Sequence, residues 1–92
     1  MGFERASFED LRIELTELAE EVAIGGLYRH YKNIDSRYIV KALCVLKESD
    51  VIAVRYSPAA AQDIDYICPV SEWLESVEKS EGETVQRYEL VD

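Results

Sequence analysis

Residues 37–56, RYIVKALCVLKESDVIAVRY, decide the fold of this chain. Two runs rich in Val, Ile, Leu and Tyr, residues 38–46 and 51–56, are separated by the polar segment 47–50. Side chains of these types favour strands, and a short polar link between two such runs is typical of an antiparallel hairpin. The stretch therefore predicts a β-hairpin with a tight turn.

Further strands are predicted on both sides of this hairpin. Residues 27–32 alternate between aromatic and polar side chains, which indicates a strand, and KNIDS at residues 32–36 indicates a loop. Downstream, residues 65–68 predict a fourth short strand, and residues 85–91 alternate as a final strand. PVSEWLESV at residues 69–77 predicts one or two helical turns before that last strand.

A helix is predicted over residues 8–23, within an N-terminal part of about residues 7–24. Ser7 is a good N-cap, and Asp10 three residues later completes a capping-box arrangement. Gly25 is expected to end the element in the left-handed conformation. Apolar side chains recur along the helix at spacings of three and four: Phe8, Leu11, Leu15, Leu18 and Val22.

This apolar stripe has two interpretations. The helix packs against the rest of the chain, or it pairs with its copy in a homodimer. About two heptads are short for an independent coiled coil, which favours packing within the chain. A homodimer through the N-terminal helix stays open as the second interpretation.

Together these elements predict a mainly β (α+β) domain. The N-terminal helix packs on a small SH3-like, five-stranded, partly open barrel over residues 26–92, with a short helical turn before the last strand. At 92 residues the chain is a single domain, because two independent cores would leave each half too small to be stable.

The charge is divided unevenly along a sequence of globular composition. Hydrophobic residues make up 48% and charged residues 32%, which excludes a disordered or collagen-like chain. The net charge is −9: residues 1–25 and 70–92 carry −5 each, and residues 26–69 carry +1. The acidic ends disfavour binding to long nucleic acids, whereas the nearly neutral middle leaves small anions possible.

The location of the protein is expected to be cytoplasmic. No apolar run approaches the roughly 18 residues that a membrane helix needs. The first residues, MGFERASFEDLR, lack the basic segment followed by an apolar one that is typical of a signal peptide. We therefore expect a protein without a membrane partner.

GLYRHYK, residues 26–32, is the most distinctive run. We interpret it as an aromatic-basic patch that binds a protein or a small anionic ligand, as barrels of this plan often bind extended or Pro-rich peptides. The predicted binding residues are Tyr28, Arg29, His30, Tyr31, Lys32, Tyr56 and Trp73. The alternative is that the two tyrosines pack in or near the core, while Arg29 and His30 tie the strand to neighbouring acidic residues.

Alternation along a strand separates the side chains of this run. Tyr28, His30 and Lys32 are expected on one face of the strand. Arg29 and Tyr31 are then expected on the opposite face.

The sequence lacks the patterns of the usual catalytic and metal sites. His30, Cys44 and Cys68 supply three soft ligands, but they lack zinc-site spacing and a structural zinc ion normally needs four. We predict no metal, no cofactor and no disulfide, with both cysteines acting as small buried hydrophobes. The predicted function is a non-enzymatic binding or adaptor module. Two alternatives stay open: an enzyme or metal-dependent hydrolase centred on His30, and a small barrel that binds nucleic acid through stacked aromatic residues.

Four stretches of the sequence, taken in order, resemble a small bacterial domain-of-unknown-function family with the signature G-x-Y-R-H-Y-K-G. That family continues with a strand hairpin, an R-P-x-x-x-F/W segment and a C-terminal R-F/Y-x-L. The similar stretches here are GLYRHYK at 26–32, the hairpin at 37–56, CPVSEWLESV at 68–77 and RYEL at 87–90. Asn33 stands where the family usually has Gly, and Cys68 stands where Arg commonly precedes the Pro. The resemblance implies an SH3-type barrel and no activity.

Overall fold

A computed structural model describes residues 7–79 and 82–92 of the chain. The architecture is mainly β, with an N-terminal helix, a five-stranded antiparallel sheet and a separate two-stranded sheet. In chain order the elements are α1 (Phe8–Leu18), β1 (Leu27–His30), β2 (Asn33–Leu46), β3 (Val51–Pro58), β4 (Tyr66–Pro69), α2 (Val70–Trp73), β5 (Ser76–Glu78), β6 (Thr84–Gln86) and β7 (Tyr88–Leu90).

The predicted hairpin forms the centre of the five-stranded sheet. β2 and β3 pair from Leu46 opposite Val51 to Tyr38 opposite Pro58, and Asp50 takes a positive φ of 57° in the turn. The strand order is β4-β3-β2-β1-β7, so β4 and β7 are the two edges. Among the described residues these edges do not pair with each other, and the sheet does not close into a barrel.

Two segments differ from the strand pattern predicted by the sequence. Residues 33–36 belong to β2 rather than to a loop. Asn33 pairs with His30 of β1, and the register of this strand pair shifts between His30 and Tyr28, which pairs with Tyr38. The predicted final strand is divided into β6 and β7 at Arg87. The N–H of Arg87 donates to the Glu75 carbonyl at 2.9 Å, and its carbonyl accepts from Tyr31 at 3.0 Å. Arg87 is therefore the residue between the last strand of the small sheet and the edge strand of the large sheet.

The core is built around Trp73, which is 1% exposed. Its indole stacks on Tyr88 with ring centroids 3.9 Å apart and meets Tyr28 edge-on at 5.1 Å. The buried side chains of this cluster are Val22, Tyr28, Val40, Val54, Cys68 and Trp73. α2 places Trp73 there, so the helical turn predicted before the last strand positions the centre of the core.

The helix begins as predicted and ends earlier. The Ser7 hydroxyl accepts from Asp10 N–H at 3.1 Å, and Gly25 has a φ of 88°. α1 stops at Leu18 rather than at residue 23. The residues after Leu18 form turns, in which the Glu21 and Val22 N–H groups donate to the Leu18 carbonyl, and Val22 lies in the core. No residue of α1 is buried, and Phe8 is 78% exposed, so of the predicted stripe only Val22 joins the core. Neither helix described here has the length and apolar character needed to cross a membrane.

Candidate functional site

The structure does not bring the seven predicted binding residues together on one exposed surface. Tyr28 and Trp73 lie in the core, with 4% and 1% of their surface exposed, and Tyr56 is half-buried beside them. The remaining four residues, Arg29, His30, Tyr31 and Lys32, lie at or near the surface. The pleat of β1 turns Tyr28 toward Trp73 and Arg29 outward. His30, on the same side as Tyr28, contacts Tyr88 at the end of the strand, and Tyr31 and Lys32 lie beyond it.

Tyr28 has a structural role in this arrangement. Its hydroxyl accepts a hydrogen bond from the Ala23 N–H at 2.8 Å, and its ring contacts Trp73. A buried tyrosine usually finds such a partner for its hydroxyl. For Tyr28, the contacts are those of the alternative interpretation, in which the tyrosine packs in the core.

The outward face of β1 borders a groove of about 410 Å³, here called the Tyr31 groove. It lies where β1 and the start of β2 face β7 and the small sheet. Its lining includes Arg29, Tyr31, Ile34, Lys79, Glu83 and Glu89. Arg29 and Tyr31 therefore share one face, as the alternation predicts. Ile34 is 57% exposed and adds an apolar surface to the groove.

Charged side chains of both signs line the groove beside Tyr31. The Arg29 Nε and Nη2 atoms lie 2.8 and 2.7 Å from Glu89 Oε1, so this carboxylate fixes the guanidinium. The Lys32 Nζ atom lies over the Tyr31 ring, 5.7 Å from its centroid, within the range of a cation–π contact. Within residues 7–79 and 82–92, the Lys79 ammonium has no hydrogen-bond or ion-pair partner. The groove therefore places the unpaired Lys79 and the paired Arg29 beside two carboxylates, with Lys32 over the aromatic ring.

His30 is held between the rings of Tyr31 and Tyr88. Its Nδ1 accepts from the Lys32 N–H at 3.1 Å, and its ring meets Tyr88 edge-on at 5.1 Å. Burial, followed by the charges of Arg87 and Lys32, lowers the pKa of His30 below 6.5 and keeps the imidazole neutral at pH 7. The described part of the chain contains no cluster of His, Cys, Asp and Glu that could hold a metal ion.

The two cysteines are free thiols, and Cys68 is poorly suited to nucleophilic chemistry. Burial, with the neighbouring charge of Glu72, raises the pKa of the Cys68 thiol to about 12. A thiol with this pKa is protonated at neutral pH and therefore reacts slowly. Cys44 is half-buried and its Sγ lies 3.7 Å from the Ala53 carbonyl.

Sequence reasoning missed a second groove, of about 540 Å³, here called the Tyr38 groove. It lies where β2 and β3 cross the start of β4. Its lining includes Asp35, Arg37, Tyr38, Pro58, Ala59 and Tyr66. The pairing of Tyr38 with Pro58 was not accessible from the hairpin register alone, because the register shifts between Val40 and Ala42. Nor was the approach of Tyr66, because it depends on how β4 docks on β3.

Comparison with known proteins gives one similar structure. It is the crystal structure of a protein from Bordetella bronchiseptica that belongs to the domain-of-unknown-function family DUF1653. The TM-score is 0.61 with 28% identity, and the match covers 73% of this chain and 85% of that chain. No family model matches the sequence, and no curated protein matches it. The likeness agrees with a small β-rich domain of unknown function, and it carries no activity that could be transferred.

Proposed function

We propose that this protein is a non-enzymatic binding module whose Tyr31 groove takes an acidic segment of a partner protein or a small anionic ligand. The observation that carries this proposal is that Arg29 and Lys79 line the groove together with Tyr31, while the Lys32 Nζ atom lies over the Tyr31 ring. Glu83 and Glu89 also line the groove, so with Lys32 it holds three cations against two carboxylates, whereas the chain as a whole has a net charge of −9. An anion near this surface is repelled less by the groove than by the acidic ends of the chain.

The pairing of Arg29 with Glu89 prepares the groove for a ligand. Both contacts of Arg29 go to one carboxylate oxygen through Nε and Nη2, which leaves Nη1 for a ligand acceptor. A guanidinium held in one position loses less side-chain entropy when it binds a carboxylate or phosphate group. Tyr31 and Ile34 supply the apolar area against which such a segment packs.

The type of barrel and the location of the protein are further parts of the proposal. We infer a partly open barrel of SH3-like plan, built from the two sheets that Arg87 connects, in a cytoplasmic bacterial protein. The antiparallel order of the large sheet supports this inference. So does the likeness to a bacterial protein of similar fold.

Titration with a short peptide of alternating glutamate and serine tests the proposal. Amide shifts in the NMR spectrum of the full chain should map to Tyr31, Ile34 and Lys79. We expect Arg29→Ala or Lys79→Ala to weaken binding by about threefold or more, the scale of a partly exposed ion pair. Added salt should weaken binding further, because these charges are screened.

The matched control is Arg12→Ala, which removes a positive charge from α1, away from the groove. This variant should bind the acidic peptide as the unmodified chain does. Equal loss from Arg12→Ala and Lys79→Ala would show that only overall charge matters. The absence of shifts at Tyr31 and Ile34 would also contradict the proposal.

A further inference from the structure

A small cleft that the proposed function does not use lies between the turns after α1 and the side of the core formed by α2 and β7. It is here called the Leu90 cleft. Its lining includes Glu20, Glu21, Leu74, Gln86, Tyr88 and Leu90. Gln86 also borders the Tyr31 groove, but the two sites have no charged lining residue in common.

The size of the Leu90 cleft limits what it can hold. Its volume is about 160 Å³. A water molecule occupies about 30 Å³ of the liquid, so the cleft has room for about five non-hydrogen atoms. A lysine side chain, with its four-carbon stem and single ammonium nitrogen, has this size, whereas the guanidinium group makes arginine larger. The volume therefore favours one short, unbranched side chain.

The charge of the lining selects the sign of the ligand. Among the described residues, the charged side chains of the cleft are the carboxylates of Glu20 and Glu21, and no cation opposes them. In the Tyr31 groove, by contrast, Arg29 and Lys79 line the site together with carboxylates. Residues 1–25, which supply both glutamates, carry a net charge of −5. The potential at the Leu90 cleft therefore attracts a cation and repels an anion.

The segment that carries the two glutamates is anchored to the core. Val22 is fully buried, and the Ala23 N–H donates to the Tyr28 hydroxyl at 2.8 Å. The neighbouring carboxylates are thus attached to a fixed backbone rather than to a free end of the chain. Binding of a ligand beside such a segment costs less conformational entropy.

The walls of the cleft are apolar and remain accessible. Leu74 and Leu90 are 37% and 49% exposed, and the half-buried Tyr88 ring lies against Trp73 with centroids 3.9 Å apart. Lysine side chains commonly bury their methylene stem along such a surface and keep the ammonium group in water. Apolar walls with exposed carboxylates beside them match both parts of a lysine side chain.

We propose that the Leu90 cleft binds a lysine side chain of a partner protein. The methylene stem packs against Leu74 and Leu90, and the ammonium group lies beside the carboxylates of Glu20 and Glu21. This site takes a cation, whereas the Tyr31 groove of the proposed function takes an anion.

Titration of the full chain with n-butylammonium chloride, which is the lysine side chain without its backbone, tests this assignment. Amide shifts should saturate and map to Ala23, Leu74 and Tyr88. n-Butanol has the same carbon chain without the charge and should bind about tenfold more weakly, because it makes no ion pair. Ammonium chloride has the charge without the stem and should cause no saturating shifts at Leu74.

A variant with both Glu20→Gln and Glu21→Gln should bind n-butylammonium about tenfold more weakly, or about threefold for each carboxylate. The matched control combines Glu9→Gln with Glu14→Gln, which removes the same charge from α1 outside the cleft. It should leave binding unchanged.

A spectrum that does not respond to n-butylammonium would overturn the assignment. Equal binding of n-butanol would also overturn it, by showing an apolar cleft that does not select a cation. An equal loss in the control variant would show that only overall charge matters. The acidic peptide should leave the shifts at Ala23 and Leu74 unchanged, so either proposal can fail without the other.

Discussion

Tyr28 connects the segment after α1 to the core through one hydrogen bond and one ring contact. Tyr28→Phe keeps the ring beside Trp73 and removes the acceptor for the Ala23 N–H. We expect the free energy of unfolding to fall by about 1–2 kcal/mol, because a partly buried donor loses its partner. Urea unfolding followed by the fluorescence of Trp73, the single tryptophan, measures this change.

The comparison for this variant is Tyr66→Phe. The Tyr66 hydroxyl has no partner among residues 7–79 and 82–92, so its removal should change the free energy of unfolding by much less. A Tyr28→Phe protein as stable as the unmodified chain would show that the hydrogen bond contributes nothing. Equal losses in both variants would assign the effect to tyrosine in general rather than to the Ala23 contact.

The candidate site could be predicted from the sequence only where strand alternation decides it. Alternation correctly placed Arg29 and Tyr31 on the same side, where both line the groove. It also put Lys32 on the opposite side, whereas the Lys32 Nζ atom lies over the Tyr31 ring, because the strand ends at His30. It could not show that the opposite face, with Tyr28, is the buried one, because that depends on the distant Trp73. The groove is also lined by Lys79, which directly follows β5 and therefore depends on the position of the small sheet.

At the level of strands and helices, local pattern predicted the hairpin and non-local pairing decided the rest. β2 and β3 are adjacent in sequence, and their alternating apolar residues and polar turn are sufficient to predict them. The division of the last strand at Arg87 depends on bonds to Glu75 and Tyr31, which no local pattern records. The early end of α1 likewise follows from the position that Val22 takes in the core.

Asp65, just before β4, joins the two central strands β2 and β3. Its Oδ1 accepts from Lys41 Nζ on β2 at 2.8 Å and from Ser57 Oγ on β3 at 2.9 Å, and Arg55 lies 3.5 Å from Oδ2. The bond from Lys41, then that from Ser57, holds the pKa of Asp65 below its ordinary value of 3.8. The ionised carboxylate is therefore favoured in the folded state.

A carboxyl group whose pKa is lowered by folding stabilises the fold above its unfolded pKa. That contribution is lost as the pH falls through the lower pKa of the folded state. We expect Asp65→Asn to be less stable than the unmodified chain at pH 7, with the difference shrinking as the pH falls below 3.8. Urea unfolding at a series of pH values measures this difference.

The control for this series is Asp63→Asn, an exposed neighbour in the same loop. The Asp63 side chain has no hydrogen bond or ion pair with any residue that the structure describes. Its replacement should change stability little at pH 7. A difference between Asp65→Asn and the unmodified chain that stays constant from neutral to acid pH would contradict the linkage.

Over the whole molecule, the acidic N-terminal part stands apart from the packed sheet. The radius of gyration is 14.7 Å, whereas a compact domain of this length has about 12 Å, and the longest extent is 47 Å. α1 has no buried residue, and Val22 is the point at which the N-terminal part enters the core. The sheet and its core should therefore be complete without α1.

Removal of residues 1–18 tests this division of the molecule. Val22, Tyr28 and Trp73 all remain in the shortened chain, so we expect it to keep the core contacts and to unfold cooperatively. The amide spectrum of the sheet should match that of the full chain, and thermal unfolding followed by Trp73 fluorescence should stay two-state. A collapsed spectrum without dispersed amides would show that α1 is required for the fold.

The same shortened chain tests the second interpretation of the apolar stripe, a homodimer through α1. Residues 8–18 carry a net charge of −3, so two copies repel each other, and Val22 is no longer available to a partner helix. Salt screens that repulsion, since the Debye length falls from about 30 Å at 0.01 M to about 10 Å at 0.1 M. In light scattering of the full chain, a dimer through α1 should increase with salt and disappear when residues 1–18 are removed. A dimer that survives the removal would place the contact on the sheet, and a full chain that stays monomeric at every salt concentration would exclude pairing through α1.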